Sequence, residues 1–206
     1  MALSKRTKPR DKYHHGDLKR ALVDAAIEIV AESSAESFTF REAARRAGVN
    51  HRAAYRHFAD KTSLLAAVAE EGFHALIAAV LGNVATIPRD DVTARIHAIA
   101  RTYLTFAVDH APQFQVMFGP WFSDEKKFAR YHELLAQASF LLEREIAHGV
   151  ERKIFRPGLG ASAPLAIWST AHGLACLVLM RKVHVDRARL PRLTDRVVGA
   201  TLRGIQ

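Results

Sequence analysis

Residues 38–65 have the sequence FTFREAARRAGVNHRAAYRHFADKTSLL, and this stretch decides the fold. Thr39 and Glu42 have the T-x-x-E spacing of a capping box, which predicts that a helix begins at Phe40. Gly48 suits the position just after the end of that helix, because a left-handed backbone there causes no Cβ clash in glycine. The pattern predicts one short helix that is closed at both ends.

A second short helix is predicted directly after the turn. Asn50 is a good N-cap, and the helix that it starts covers about His51 to His57. Two short helices joined by a glycine-containing turn form a helix-turn-helix. In such a motif the second helix enters the major groove of DNA, and its early residues face base edges.

Amphipathic helices are predicted on both sides of this motif. Before the motif, one helix begins near Leu18, with Asp17 as its N-cap. After the motif, a short aromatic segment covers 111–120. Further helices are predicted at 62–83, 91–110, 124–152, 163–183 and 190–205. With no strand pattern, the expected fold is all-α with about nine helices. The expected domains are a flexible basic arm (1–15), a three-helix DNA-binding domain (16–61) and a helical effector-binding and dimerisation domain (62–206).

The charge distribution favours a polyanionic partner. The net charge is +9 and the isoelectric point about 10.0. Residues 1–61 contain 13 Lys and Arg against 8 Asp and Glu, so they hold +5 of that total. Such a field favours nucleic acid first and an acidic membrane surface second, and a basic protein without an anionic partner is the remaining alternative.

The expected location is the cytoplasm. Cys176 is the single cysteine, which excludes an internal disulfide. The basic N-terminus is not followed by the apolar stretch of a signal peptide. Residues 161–180 are apolar and near the minimum length of a membrane span, but Pro164 and His172 interrupt them. A helix buried on several faces is the favoured interpretation.

The central stretch closely resembles the DNA-binding domain of the TetR family of transcriptional regulators. The matching residues are Thr39, Ala43-Ala44, Ala47-Gly48-Val49, Tyr55, His57-Phe58, Lys61 and Leu64-Leu65. Residues 13–18 (YHHGDL), together with Trp168 and His172-Gly173, resemble the branch named for a Trp-His-Gly C-terminal domain. Ala54 replaces a larger aliphatic residue of the family, and Asn50 replaces its commoner Ser or Thr.

The resemblance implies a homodimer that binds double-stranded DNA, most often as a repressor. In the recognition helix His51, Arg52 and Ala53 face base edges; Arg52 suits a bidentate pair with guanine and Ala53 a thymine methyl. The family comparison assigns Thr39, Tyr55, His57 and Lys61 to phosphates and Arg41 to the backbone or a base edge. The basic arm either enters the minor groove or adds attraction to phosphates.

An aromatic cluster in the second domain predicts a pocket for a small apolar effector. Ligand pockets are mostly apolar and contain a few placed polar groups. Trp168 and His172 lie one helical turn apart and share a face. The predicted pocket residues are Tyr103, Phe114, Met117, Phe118, Trp121, Trp168 and His172.

The last two helices are predicted to form the dimer. Paired across a two-fold axis, they make a four-helix bundle. The predicted dimerisation residues are Leu174, Val178, Leu193, Val197 and Thr201.

The second domain has no recognised catalytic motif, so the chain is not expected to be an enzyme. No cofactor or metal site is predicted. Two alternatives to the ligand-responsive regulator stay open. One is an architectural DNA-binding protein without sequence preference, and the other is an all-α enzyme acting on an apolar substrate.

Overall fold

The computed structural model describes residues 15–206, with side chains from Leu18 onward. The predicted basic arm, except His15, and the side chain of Asp17 lie outside the described part. Within that part the chain has no strand, which confirms the all-α prediction. The helices are α1 (His15–Glu32), α2 (Phe40–Arg46), α3 (His51–Ala54), α4 (Lys61–Ala85), α5 (Val92–Asp109), α6 (Ala111–Met117), α7 (Ala129–Glu151), α8 (Ser162–Leu179) and α9 (Leu190–Arg203), with a 3-10 turn at Arg187–Arg189.

The chain packs as two compact units, which divide between Leu64 and Leu65. We call them the N-terminal unit and the C-terminal unit (Leu65–Gln206). In the N-terminal unit α1 packs against both α2 and α3. Phe38, Ala54 and Phe58 are buried in its core, so the small side chain of Ala54 still leaves α3 fully packed.

The local signals at α2 and α3 form the predicted caps. The Thr39 hydroxyl oxygen accepts a hydrogen bond from the Glu42 amide at 3.2 Å, and the Asn50 side-chain oxygen accepts one from the Arg52 amide at 2.8 Å. Gly48 has φ +68°, and the following amide, that of Val49, bonds the Ala44 carbonyl at 3.0 Å. This is the hydrogen-bond pattern of a Schellman turn.

The third helix is shorter than predicted, because α3 ends at Ala54 instead of reaching His57. The amides of Arg56 and His57 bond carbonyls three residues back, at 3.2 and 3.0 Å, instead of four. The last turn is therefore tightened, as is common at helix ends.

Helix α5 is the centre of the C-terminal unit, since it packs against α6, α7, α8 and α9. Its Arg95 is buried and donates two hydrogen bonds, both of 2.9 Å, to the buried carboxylate of Glu145 on α7. The same guanidinium donates to the carbonyls of Val84 and Ile87 at 2.9 and 3.1 Å. Arg95 therefore ties the C-terminal end of α4 to α7.

Two predicted boundaries in this unit were wrong by several residues. Helix α7 begins at Ala129 instead of Asp124, because the Asp124 carboxylate accepts from the Lys127 amide at 3.0 Å and closes a separate turn. Helix α8 ends at Leu179 instead of residue 183, because Arg181 takes φ +55° and breaks it.

Among the described helices, α4 and α8 are long and apolar enough to cross a membrane by length and composition. The core helices of soluble bundles have the same properties. One face of α8 is buried, through Ile167, Ala171 and Leu174, whereas the opposite face is exposed within the single chain. The expectation of burial on several faces is therefore not met inside one chain.

Candidate nucleic-acid interface and ligand cavity

Helix α3 presents the three residues that were predicted to face DNA bases. His51 and Arg52 are exposed and Ala53 is half-buried, whereas the next residue, Ala54, is fully buried. The two ends of this short helix are fixed by the Asn50 cap and by the packing of Ala54. The predicted trio therefore lies at the surface of the N-terminal unit, and its contacts with bases stay a prediction.

The Tyr55 ring is held in place although it is exposed. Its centroid lies 4.7 Å from that of Phe40 and 4.8 Å from that of His51, the latter pair edge to face. Almost half of the side chain, 48%, is exposed to solvent. A fixed and partly exposed tyrosine suits a phosphate contact, since little rotamer entropy remains to be lost.

Thr39 and Lys61 each make a contact within the chain that is compatible with their predicted role. The Thr39 hydroxyl uses its oxygen to cap α2, which leaves its proton available for donation to a phosphate. The Lys61 ammonium donates to the Glu36 carbonyl at 2.8 Å and lies 5.7 Å from the Phe38 ring centroid. Burial lowers the pKa of Lys61, although nearby Glu36 opposes this.

Ion pairs divide the basic residues near α3 into two groups. Arg45 pairs with Glu42 at 2.6 Å, and Arg46 pairs with Glu32 at 2.6 Å. Arg41, Arg52 and Arg56 are exposed, and within residues 18–206 the structure gives them no ion pair. Arg41 and Arg52 were predicted from the sequence as DNA contacts, whereas Arg56 was not. The signal for it was its place in the turn directly after the recognition helix.

A cavity of about 310 Å³ lies inside the C-terminal unit. Its walls are mostly apolar and come from α4, α5, α7 and α8, with Phe118 after α6. The lining residues are Phe73, Leu76, Ile77, Val80, Ile96, Ile99, Ala100, Tyr103, Phe118, Leu135, Ala138, Ser139, Leu141, Leu142, Glu143, Ala161, Pro164, Leu165, Ile167, Trp168 and Ala171. The volume falls at the lower end of the range for small-molecule sites.

Three of the seven predicted pocket residues, Tyr103, Phe118 and Trp168, line this cavity. The other four, Phe114, Met117, Trp121 and His172, do not. Phe114 is buried and stacks on His172 with centroids 5.6 Å apart. Phe114 and His172 both contact the lining ring of Phe118, with centroids 4.8 and 4.9 Å away, so they support the cavity wall from behind.

The polar group of Tyr103, which lines the cavity, is hydrogen-bonded to His172 behind the cavity wall. The Tyr103 hydroxyl and the His172 Nδ1 lie 2.7 Å apart. Burial raises the pKa of Tyr103 well above its ordinary value, against a hydrogen bond from Trp168, and burial lowers the pKa of His172. Both groups are therefore neutral at neutral pH, and we assign the shared proton to the hydroxyl, which donates to the imidazole.

Helices α4 and α7 also line the cavity, which the sequence pattern did not predict. Phe73 and Val80 belong to α4, and Leu135, Ser139 and Glu143 to α7. Their apolar spacing is that of any core helix, so the sequence held no signal that distinguishes cavity walls from core. The Ser139 hydroxyl donates to the Leu135 carbonyl at 3.0 Å, one turn back in its own helix.

The outer face of α8, which we define as Leu165, Gly173, Leu177 and Met180, is apolar and exposed. Leu165 is 56% exposed, Leu177 42% and Met180 59%. Of the predicted dimerisation residues, Val178, Leu193, Val197 and Thr201 are half-buried. Leu174 is buried in its own chain, because it lies about 100° around the helix from Gly173.

Comparison with known proteins agrees with this architecture. Residues 22–68 match the family described as bacterial regulatory proteins of the tetR family, and residues 96–201 match the tetracyclin repressor-like C-terminal domain. The latter match alone covers more than half of the chain. No curated protein sequence matches the chain.

Solved structures of similar length share the fold. A protein of unknown function from Rhodococcus sp. RHA1 is 27% identical, with 95% of this chain and 99% of that chain covered and a TM-score of 0.78. The fatty acid degradation regulator FadR of Bacillus halodurans is 19% identical, with coverages of 98% and 99% and a TM-score of 0.74.

FadR of Bacillus subtilis, solved in complex with stearoyl-CoA, is 17% identical, with coverages of 91% and 99% and a TM-score of 0.76.

The two family matches, the capped helix-turn-helix and the all-helical fold lead to one conclusion. The chain belongs to the TetR family of DNA-binding transcriptional regulators.

Proposed function

We propose that this chain is a cytoplasmic, ligand-responsive repressor. A homodimer binds a palindromic operator through α2 and α3 of each copy, and a small apolar molecule in the cavity releases it. The observation that carries the proposal is the cavity wall formed by α4, since this helix starts at Lys61 and continues to Ala85 without interruption. The helix that begins beside the DNA-binding residues is thus the helix that a ligand touches.

A ligand changes DNA affinity only if it binds one conformation better than the other. The four α4 residues on the cavity, Phe73, Leu76, Ile77 and Val80, lie between Lys61 and the end of α4 that Arg95 holds. A ligand that displaces these side chains favours another position of α4. The distance between the two recognition helices of the dimer then no longer fits the operator.

The outer face of α8 supports the dimer. Leu165, Leu177 and Met180 expose large apolar side chains on this face, and clusters of exposed apolar side chains mark interaction surfaces. The half-buried stripe of Leu193, Val197 and Thr201 extends the surface onto α9, and the Thr201 hydroxyl lies 3.0 Å from that of Thr170 on α8. A two-fold axis through this surface joins four helices into a bundle.

The dimer is tested by Leu177→Arg, which places a charge in the proposed interface. Leu81→Arg is the matched control, because Leu81 is an equally exposed leucine (45% against 42%) on α4. Sedimentation equilibrium should show a dimer for the parent and the control and a monomer for Leu177→Arg. Monomeric parent protein, or a dimeric Leu177→Arg variant, contradicts the proposed interface.

The proposed effector is a small apolar molecule. The apolar lining of the cavity supports this class of effector. FadR of Bacillus subtilis, which shares the fold, was solved in complex with stearoyl-CoA, a molecule with an apolar chain. Four aromatic side chains, those of Phe73, Tyr103, Phe118 and Trp168, line the cavity and favour a ligand with a hydrocarbon body.

Selection of bound DNA from a random-sequence pool is the decisive experiment for the whole function. We expect an inverted repeat whose half-sites lie about 34–36 Å apart, one helical turn, or a multiple of that distance. Recovery of no shared sequence, with affinity that depends steeply on salt, indicates an architectural DNA-binding protein instead. Turnover of an apolar substrate in a screen indicates an enzyme.

A further inference from the structure

Glu143 is the only charged side chain among the described residues that line the cavity. The lining contains no lysine, arginine or histidine. A carboxylate at the edge of an apolar space attracts a cation and repels an anion, and this effect is larger beside a low-dielectric wall than in bulk water.

The carboxylate of Glu143 is accessible. Its side chain is exposed, as is that of Ala161 just before α8, so these two residues mark the opening of the cavity. Arg144 is adjacent in sequence but pairs at 3.1 Å with Glu145, which also holds Arg95. Within residues 18–206 the structure gives Glu143 no hydrogen bond or ion pair.

The other polar groups of the lining already have partners inside the protein. The Tyr103 hydroxyl bonds His172 and Trp168, and the Ser139 hydroxyl bonds the Leu135 carbonyl. Because these hydroxyl protons are already donated, a ligand atom that needs a hydrogen-bond donor finds none on the two hydroxyls and loses its hydration without compensation. The inner part of the ligand must be hydrocarbon.

We propose that the effector is an apolar organic cation, with its hydrocarbon body among Phe73, Phe118 and Trp168 and its ammonium group at the Glu143 carboxylate. The inference rests on the proposed function, because it assigns a chemical class to the effector of that same cavity. It disfavours molecules that carry a carboxylate or phosphate at the end nearest the opening.

The test is isothermal titration calorimetry of the full chain with three probes of equal chain length: decylamine, decanol and decanoate. Decylamine should bind most tightly and decanoate most weakly. Glu143→Gln should weaken decylamine about fivefold, the upper range for a partly exposed ion pair, and leave decanol unchanged. Glu151→Gln is the control, because Glu151 is an exposed acid of the same helix outside the cavity lining.

Ala138→Phe fills part of the cavity and should weaken all three probes, which distinguishes binding in the cavity from adsorption elsewhere. Equal affinity for decanoate and decylamine, or a Glu143→Gln variant that keeps the preference for the amine, overturns the inference. If decanol and decanoate still release operator DNA in that case, the proposed function stands. Failure of decylamine to bind also overturns the inference, whereas the proposed function is judged separately by the selection of bound DNA.

Discussion

The two units of this regulator present their functional residues in opposite ways. In the N-terminal unit the candidate DNA contacts lie on the outside of two short helices, and every one of them falls between Thr39 and Lys61. In the C-terminal unit the candidate ligand contacts face an internal space and come from positions between Phe73 and Ala171. A surface built by one local motif can be identified from sequence, whereas a cavity exists only once distant helices have packed.

The ion pairs of the two units show the same contrast. In the N-terminal unit Arg46 pairs with Glu32, whose side chain is 63% exposed. In the C-terminal unit Arg95 and Glu145 are only 11% and 4% exposed and share two hydrogen bonds. Exposed pairs add little to stability, whereas removal of one member of a buried pair leaves a charge without compensation.

The largest expected effect is therefore on stability, from Glu145→Gln. Loss of this carboxylate leaves the buried Arg95 charge unpaired and should lower the free energy of unfolding by about 3–5 kcal/mol. Urea unfolding followed by circular dichroism measures the change. The matched control is Glu143→Gln, two residues away on the same helix but exposed, which should change stability by less than about 0.5 kcal/mol.

The same pair makes a pH-dependent contribution. The hydrogen bonds from Arg95, with those from Arg144, lower the pKa of Glu145 in the folded state below its ordinary value of 4.5. The contribution of the Glu145 carboxylate to the free energy of unfolding is complete above pH 4.5. It is lost as the pH falls through the lowered pKa of the folded state. Stability of the parent protein should therefore fall faster than that of Glu145→Gln below pH 4.5. Parallel pH profiles contradict this assignment.

On the N-terminal side the largest expected effect is on DNA recognition. Arg52→Ala should cost about 1–3 kcal/mol of operator binding and relax one base position, because a bidentate contact with guanine is lost. Lys61→Ala should weaken all sequences alike. Arg45→Ala is the control, since Arg45 is paired with Glu42; its loss should leave sequence preference unchanged in a binding assay with single-base operator variants.

The sequence predicted features that depend on neighbouring residues better than features that depend on the packing of distant helices. Caps and turns such as Thr39, Gly48 and Asn50 are local, so the residue type at one position determines the hydrogen bond. The end of α8 was missed because Arg181 occupies the left-handed position that glycine usually marks. The cavity contributions of α4 and α7 were missed because their positions depend on tertiary packing.

The next prediction concerns two residues with positive φ at helix ends, one in each unit. Their substitution should change the free energy of unfolding in opposite directions. Gly48→Ala should lower the free energy of unfolding by about 1–2 kcal/mol, because φ +68° is unfavourable for a residue with a Cβ atom. Arg181→Gly should raise it by about 1 kcal/mol, since the same strain at φ +55° is removed. Thermal unfolding measures both changes. A destabilised Arg181→Gly variant shows instead that this side chain makes a contact worth more than the strain.

The smallest expected effect distinguishes the two roles of Thr39. Thr39→Ala removes the cap of α2 and should cost about 1 kcal/mol of stability, whereas Thr39→Asp keeps a good N-cap and should be as stable as the parent. The proposed phosphate contact responds differently, because a carboxylate at this position repels the DNA backbone. Thr39→Asp should therefore bind operator more weakly than Thr39→Ala at low salt. The affinities of the two variants should become similar as the salt concentration is raised. If Thr39→Asp binds as well as the parent, Thr39 serves only as a cap, and the first phosphate contact of the motif must come from another residue.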